Sequence, residues 1–166
     1  SVRFMGKRAY MVTFKKIGPF FVIDVSDPAN PAILGALKIP GYSDYLHPYD
    51  ENHIIGFGKE AEDASVEDVE ARDLDFAWYQ GMKIAMFDVT DVSDPKELYK
   101  EVIGDRGTDS PLLTNHKALM FDKNRGIMAF PVTLAQIPEA EKAGSEPTRY
   151  GDYVFHYLVR LIDREM

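Results

Sequence analysis

The sequence of Asp24–Pro31, DVSDPANP, recurs at Asp88–Pro95 as DVTDVSDP, 64 residues further along the chain. Both copies place Asp, Val, a hydroxyl residue, Asp and a final Pro at equivalent positions. A second pattern of two large apolar residues, a small residue and Phe occurs at Met11–Phe14, Ile54–Phe57 and Ile127–Phe130. The first two copies of this pattern are 43 residues apart. Two internal repeats in one chain indicate a fold built from repeated units.

A single insertion accounts for the difference between the two repeat distances. The segment Glu60–Gln80 contains 21 residues and lies inside the longer interval but outside the shorter one. Units of about 40 to 45 residues built from short strands are typical of propeller blades, although helical repeats have similar lengths. The repeated segments are rich in Val, Ile, Phe, Tyr and Thr between Pro, Gly, Asp and Asn, which favours strands and turns.

These signals predict ten strands in three groups, which form the blades. The groups lie in residues 8–39, 42–103 and 112–160. The predicted strands are Ala9–Phe14, Phe20–Val25, Ile33–Ile39, Tyr42–Tyr49, Ile54–Gly58, Met82–Val89, Leu98–Ile103, His116–Phe121, Ile127–Val132 and Tyr153–Val159.

The predicted fold class is all-β: a single partial β-propeller domain over residues 1–166, with about 2.5 to 3 antiparallel blades. Short helical or loop insertions are expected at 60–80, which is acidic, and at 134–150, where Pro138–Gly144 is typical of a short helix. A closed ring needs typically four to eight blades. We therefore expect an open arc that self-associates or is a fragment of a longer chain. The start at Ser1 without an initiator Met favours the fragment.

Composition and charge exclude several partners. The chain has 19 Lys and Arg against 27 Asp and Glu, a formal net charge of -8, which argues against nucleic acids and anionic membranes. Apolar runs fall short of the roughly 18 to 20 residues of a spanning helix, so no membrane insertion is expected in this segment. Cysteine is absent, which removes disulfides, thiolate zinc sites and thiol nucleophiles.

Four aspartates of the repeated segments are candidate metal ligands. Asp24, Asp27, Asp88 and Asp91 carry the carboxylate oxygens that calcium prefers. The favoured alternative is that these side chains cap the backbone of their own turns, because the spacing of a helix-loop-helix calcium loop is absent. No other cofactor is expected.

Three residues are candidate ligand contacts. Counted back from the turns at Asp50 and Asp122, His116 occupies the position of Asp44, on a strand expected to line the central channel. A structural role for His116 remains the favoured alternative. Trp78 next to the acidic insertion is a candidate sugar-stacking platform, with anchoring of the returning loop as the favoured alternative.

No catalytic residue is assigned from the sequence. It contains no Gly-x-Ser-x-Gly elbow, no cysteine nucleophile and no phosphate-binding glycine loop. The first hypothesis is therefore a non-enzymatic binding or scaffolding module. The alternative is a glycan-acting hydrolase that uses carboxylates, and His116, near the propeller channel.

A combination of motifs resembles a known family. The segments Phe4–Phe14, Phe21–Pro31, Leu34–Gly41, Tyr45–Asp50 and Gly104–Gly107 are similar to the secreted β-propeller domain distantly related to WD repeats, found in archaea and bacteria. The resemblance implies an extracellular or cell-envelope β-propeller without an established activity. The first hypothesis adds a protein or glycan partner outside the cell, with an unknown ligand. It brings no catalytic residues with it.

Overall fold

The computed structural model describes residues 1–13, 17–63, 77–137 and 154–162. These residues form eleven strands and two short 3₁₀ turns. The strands are β1 Val2–Met5, β2 Arg8–Val12, β3 Ile17–Asp24, β4 Ala32–Pro40, β5 Tyr42–Pro48, β6 His53–Asp63, β7 Ala77–Asp88, β8 Lys96–Ile103, β9 Met120–Asp122, β10 Ile127–Gln136 and β11 Val154–Ile162.

Three sheets contain these strands, in the orders β1-β2-β3-β4, β5-β6-β7-β8 and β11-β10-β9. Each sheet joins strands that are consecutive along the chain, and the recorded registers are antiparallel. This confirms the all-β fold class and the antiparallel blades. The predicted grouping of three, four and three strands is wrong for the first sheet, which also contains β1. That strand has only four residues, too few to show a clear alternation in sequence.

The strands also run further than predicted beside the first insertion. β6 continues to Asp63 and β7 begins at Ala77, so both enter the segment predicted as an insertion, whose residues 64–76 lie outside the described part. The predicted helix at Pro138–Gly144 lies outside it as well.

The predicted strand at His116–Phe121 is wrong over most of its length. Residues His116–Ala118 form a 3₁₀ turn, and only Met120–Asp122 is a strand. The reason is local, because the Asn115 side chain accepts a hydrogen bond from the Lys117 N–H and caps the turn. The preceding turn, Pro111–Leu113, is capped in the same way by Ser110.

The chain forms two compact units. The first contains Ser1–Tyr79 and Lys83–Val102, and the second contains Gln80–Met82 and Ile103–Met166. In the second unit, the Thr108 hydroxyl bonds the backbone of Ala135, and the Ser110 hydroxyl donates to the Pro131 carbonyl at 2.6 Å. These bonds attach the loop after β8 to β10.

Aromatic stacking joins the two sheets of the first unit. The ring of Phe20 on β3 stacks on Phe87 of β7 with centroids 4.6 Å apart, and Tyr10 stacks on Phe20 with centroids 6.0 Å apart. Each such side chain contributes about 1.5 to 3 kcal/mol on full burial. The buried cluster around them is Tyr10, Val12, Phe20, Val22, Ile39, Leu46, Ile54, Ala85, Phe87 and Val89.

A buried charge closes the junction between β4 and the second sheet. The side chain of Lys83 is 0% exposed and donates to the Pro40 carbonyl oxygen. Its ammonium lies 4.0 Å from Glu60, which also pairs with Lys100 at 3.2 Å. Burial lowers the pKa of Lys83, and the carboxylates of Glu60 and Glu97 oppose this. Sequence patterning did not identify this group, because its members are distant along the chain.

Replacing Lys83 tests this junction. Lys83→Met keeps most of the volume but leaves the Pro40 carbonyl and the buried Glu60 carboxylate without the ammonium. We expect a loss of about 3 kcal/mol in the free energy of unfolding, measured with urea. The matched control Lys100→Met removes a half-exposed partner of Glu60 and is expected to lose less than about 1 kcal/mol. Equal losses in the two variants would contradict the assignment of Lys83 to the junction.

Candidate functional site

Four hairpin turns of the first unit lie at one edge of its two sheets. In an antiparallel sheet, the turns after the first and third strands share an edge. These turns are residues 6–7, 25–31, 49–52 and 89–95. In the second sheet, the Val89 N–H donates to the Asn52 carbonyl at 2.8 Å and joins two of the turns. We call this surface the turn edge.

A cavity of about 410 Å³ opens between turns of the two sheets. It is lined by Met5–Arg8 and Tyr10 from the first sheet and by Glu51 and Asn52 from the second. Gly6 adopts φ 58°, a left-handed conformation that suits glycine and reverses the chain between β1 and β2. The lining therefore combines two cations, a carboxylate and an amide in one concave surface.

Asp50 sets the conformation of the turn that presents Glu51 and Asn52. Its carboxylate accepts hydrogen bonds from the Asn52 N–H at 2.9 Å and from the His53 ring at 2.8 Å. The Tyr49 N–H donates to the His53 carbonyl at 3.0 Å. Such local side-chain bonds hold a turn rigid, so this wall of the cavity is held in place before any ligand arrives.

The four repeated aspartates bond the backbone of their own turns. Asp24 accepts from the Ser26 N–H at 2.8 Å, and Asp88 accepts from the Thr90 N–H at 2.8 Å. Asp27 accepts from the Ala29 N–H at 3.0 Å, and Asp91 from the Ser93 N–H at 3.0 Å. This confirms the capping interpretation of the repeat. Among the described residues, no three acidic or histidine side chains form a group able to hold a metal. The calcium role stays a prediction.

These hydrogen bonds lower the pKa of all four carboxyls. For Asp24 the Ser26 backbone N–H is the largest cause, and for Asp88 it is the hydroxyl of Thr90. For Asp27 and Asp91 the largest causes are the side chains of Asn30 and Ser93. A carboxyl whose pKa is lowered on folding stabilises the fold above its ordinary pKa and loses that effect as pH falls through the folded pKa.

Asp88→Asn tests this linkage. Asparagine can still accept from Thr90 but cannot carry the charge, so we expect the variant to be less stable than the wild type at pH 7. The difference should narrow as the pH falls below the ordinary value of 3.8. Urea midpoints at pH 7 and pH 3 measure it. The control Asp94→Asn removes a carboxylate from an exposed pair with Lys96. Its stability relative to the wild type should change less between pH 7 and pH 3 than that of Asp88→Asn. A stability difference between wild type and Asp88→Asn that is larger at pH 3 than at pH 7 would contradict a stabilising role of the Asp88 charge.

A second polar group lies where β1 and β5, the first strands of the two sheets, approach each other. The Tyr45 hydroxyl and the His47 Nδ1 are 2.8 Å apart. The charge of Arg3 on β1 reaches both side chains. Burial lowers the pKa of His47 and Arg3 lowers it further, while burial raises the pKa of Tyr45. We call this group the Arg3–Tyr45–His47 cluster. Sequence analysis missed it, although Tyr45 and His47 lie in a motif that it identified.

The structure places the predicted ligand contacts separately. Asp44 lies on β5 in the first unit, half-buried and near the Ser1 ammonium. His116 lies in an exposed 3₁₀ turn of the second unit. Trp78 is the second residue of β7, and its side chain lies outside the described part. The binding roles of these three residues stay predictions.

Antiparallel sheets of up to four consecutive strands are typical of β-propeller blades, and the chain is a partial β-propeller. The chain belongs to the family described as the beta propeller domain, which it matches over residues 1–161. That membership supports a binding or scaffolding module in general.

Two archaeal proteins are similar to this chain. One, from Archaeoglobus fulgidus, and another, from Methanocaldococcus jannaschii, are each 37% identical over 131 residues. Both are uncharacterised proteins. The match covers 79% of this chain and 18% of each relative, so the chain spans less than a fifth of their length. No solved structure matches the chain significantly. Within the described residues, no helix is long and apolar enough to cross a membrane.

Proposed function

We propose that this domain is a non-enzymatic binding module of a secreted or cell-envelope propeller protein, and that its turn edge contacts a protein or glycan partner. The observation that carries the proposal is the cavity of about 410 Å³ between turns of two sheets. Binding residues concentrate on loops that a rigid scaffold holds, and concave sites with a few convergent polar groups are the usual ligand sites.

The chemistry of the turn edge suits a polar partner. Lys7 and Arg8 supply donors, whereas Glu51 supplies acceptors and the Asn52 amide supplies both. Asp24 lies near Lys7 and Arg8, so the positive charge is partly balanced. A balanced set of donors and acceptors matches sugar hydroxyls or a polar protein loop better than a polyanion.

A double variant tests the turn edge. Glu51→Ala with Asn52→Ala removes both side chains of one wall without touching the backbone bond to Val89. We expect affinity for an oligosaccharide identified on a glycan array, or for a purified envelope protein, to fall about tenfold or more. Lys38→Gln, on the exposed side of β4, is the matched control. Unchanged affinity in the double variant would overturn the proposal.

The same experiment separates binding from hydrolysis. Each bound oligosaccharide is incubated with the protein and examined for new reducing ends. Binding without cleavage supports the module. Cleavage would favour the glycan-hydrolase alternative and contradict a non-enzymatic role.

The cellular location is part of the proposal and rests on the family resemblance of the sequence. Proteolysis of intact cells followed by immunoblotting tests it. Loss of the full-length parent protein without lysis supports an extracellular or envelope location, and complete protection contradicts it.

An apolar sheet face provides a second contact surface. Residues directly opposite each other in a sheet point to the same side. The registers of the first sheet therefore align two apolar rows across its four strands, on the side away from the aromatic stack. The rows are Phe4, Ala9, Ile23 and Ile33, and Val2, Met11, Phe21 and Ala36. We call this the apolar face.

We propose that a second copy of this chain covers the apolar face when the 166 residues are studied alone. Phe4 is 67% exposed and Ile33 is 63% exposed. The opposite side of the same sheet packs on the second four-stranded sheet, and a sheet from a second copy would cover the apolar face in a similar way. In a longer polypeptide, another blade can take the same place.

Phe4→Glu tests this contact. We expect the wild-type chain to form dimers as its concentration rises, and Phe4→Glu to stay monomeric, because burying a charge in an apolar contact is costly. Sedimentation velocity measures both. The control Tyr99→Glu changes an aromatic residue that is 74% exposed on β8 and should still dimerise. A wild-type chain that is monomeric at every concentration contradicts the proposal.

A further inference from the structure

We propose that the Arg3–Tyr45–His47 cluster binds an oxyanion, the carboxylate or phosphate group of a small ligand. The site uses strand residues rather than turn residues, so it stands whether or not the turn edge binds a protein or glycan. Three observations support it: the contacts that hold Tyr45 and the start of β1 in place, the hydrogen bond between Tyr45 and His47, and the shielded Nε of Arg3.

The cluster is held in place by its neighbours. The Ser1 hydroxyl donates to the Ser43 carbonyl at 2.7 Å and ties the start of β1 to β5. The Tyr45 ring stacks on Phe57 of β6, with centroids 5.9 Å apart and an interplanar angle of 19°. Phe57 is fully buried. These side chains are therefore already ordered before a ligand binds, which reduces the entropic cost of binding.

The hydrogen bond between Tyr45 and His47 orients the imidazole. Because burial lowers the pKa of His47 and raises that of Tyr45, both groups are neutral at pH 7. The phenol oxygen and the His47 Nδ1 share this hydrogen bond at 2.8 Å. A bound anion therefore acts on a neutral imidazole.

Arg3 is the member of the cluster with a shielded donor, its Nε, that lacks an acceptor. Its Nε is shielded from solvent and has no hydrogen-bond partner, and no salt bridge among the described residues includes Arg3. A shielded donor without an acceptor costs about 1 to 3 kcal/mol. Unsatisfied groups of this kind in a native fold call for an explanation, such as an ion.

An oxyanion satisfies this arrangement. The guanidinium offers a planar set of donors that matches a carboxylate or a phosphate. Its positive charge attracts the ligand. Other charged groups on or beside these strands include Asp44 and the Ser1 ammonium, which interact with each other, Arg8 opposite Met5 and Lys59 opposite Tyr42.

Histidine NMR tests the site in the intact 166-residue chain. The probes are sodium acetate and sodium phosphate, with sodium chloride at equal ionic strength as the reference. We expect saturable shifts of the His47 ring signals and a rise in the His47 pKa, because a bound anion favours the imidazolium. Saturation by acetate alone identifies a carboxylate ligand, and saturation by phosphate alone identifies a phosphate ligand.

Two variants control the result. In Arg3→Gln we expect the affinity for the saturating anion to fall about tenfold or more, and the His47 pKa without anion to rise because a positive neighbour is gone. Lys38→Gln removes the same charge from β4 and should bind like the wild type. Shifts that do not saturate with either anion, or that persist unchanged in folded Arg3→Gln, overturn the proposal.

Discussion

The contact between Phe20 and Phe87 holds the first unit together, because it joins two sheets that share no strand. With centroids 4.6 Å apart, the rings place β3 against β7, and Tyr10 extends the stack to β2. Side chains alternate between the two sides of a strand. Because these residues point into the junction, their neighbours along the strand point to the other side of the sheet. The exposed Phe4 and Ile33 follow from that alternation.

Close packing at the junction demands special residues around the stack. A side chain at Gly35 would place its Cβ 2.1 Å from the Val92 carbonyl, so glycine lets β4 approach the turn after β7. At the other end, Lys83 is buried against the Pro40 carbonyl, with Glu60 nearby. A lysine without exposure is tolerated because these groups replace the water it loses.

The polar groups of the first unit differ in how they are satisfied. The repeated aspartates accept hydrogen bonds from their own turns, so their chemistry is largely used by the fold. Arg3 presents a shielded nitrogen without an acceptor. The aspartates therefore shape the turn edge, whereas Arg3 is a cation suited to binding. Both surfaces depend on the same junction, which sets the first strands side by side and brings the turns to one edge.

The repeat was readable in the sequence because turn chemistry is local. Asp24–Pro31 and Asp88–Pro95 carry their own hydrogen-bond partners, and the antiparallel strands between the turns follow from composition. The strand predicted at His116 was wrong, because the Asn115 side chain caps a 3₁₀ turn there. The sequence by itself determined the all-β class, the repeated turns and most of the strands. Only the tertiary structure decided the junction at Lys83, the cavity of the turn edge and the Arg3–Tyr45–His47 cluster. Their members are up to tens of residues apart in the chain, and only the packing of whole sheets brings such residues within hydrogen-bonding or Coulombic reach.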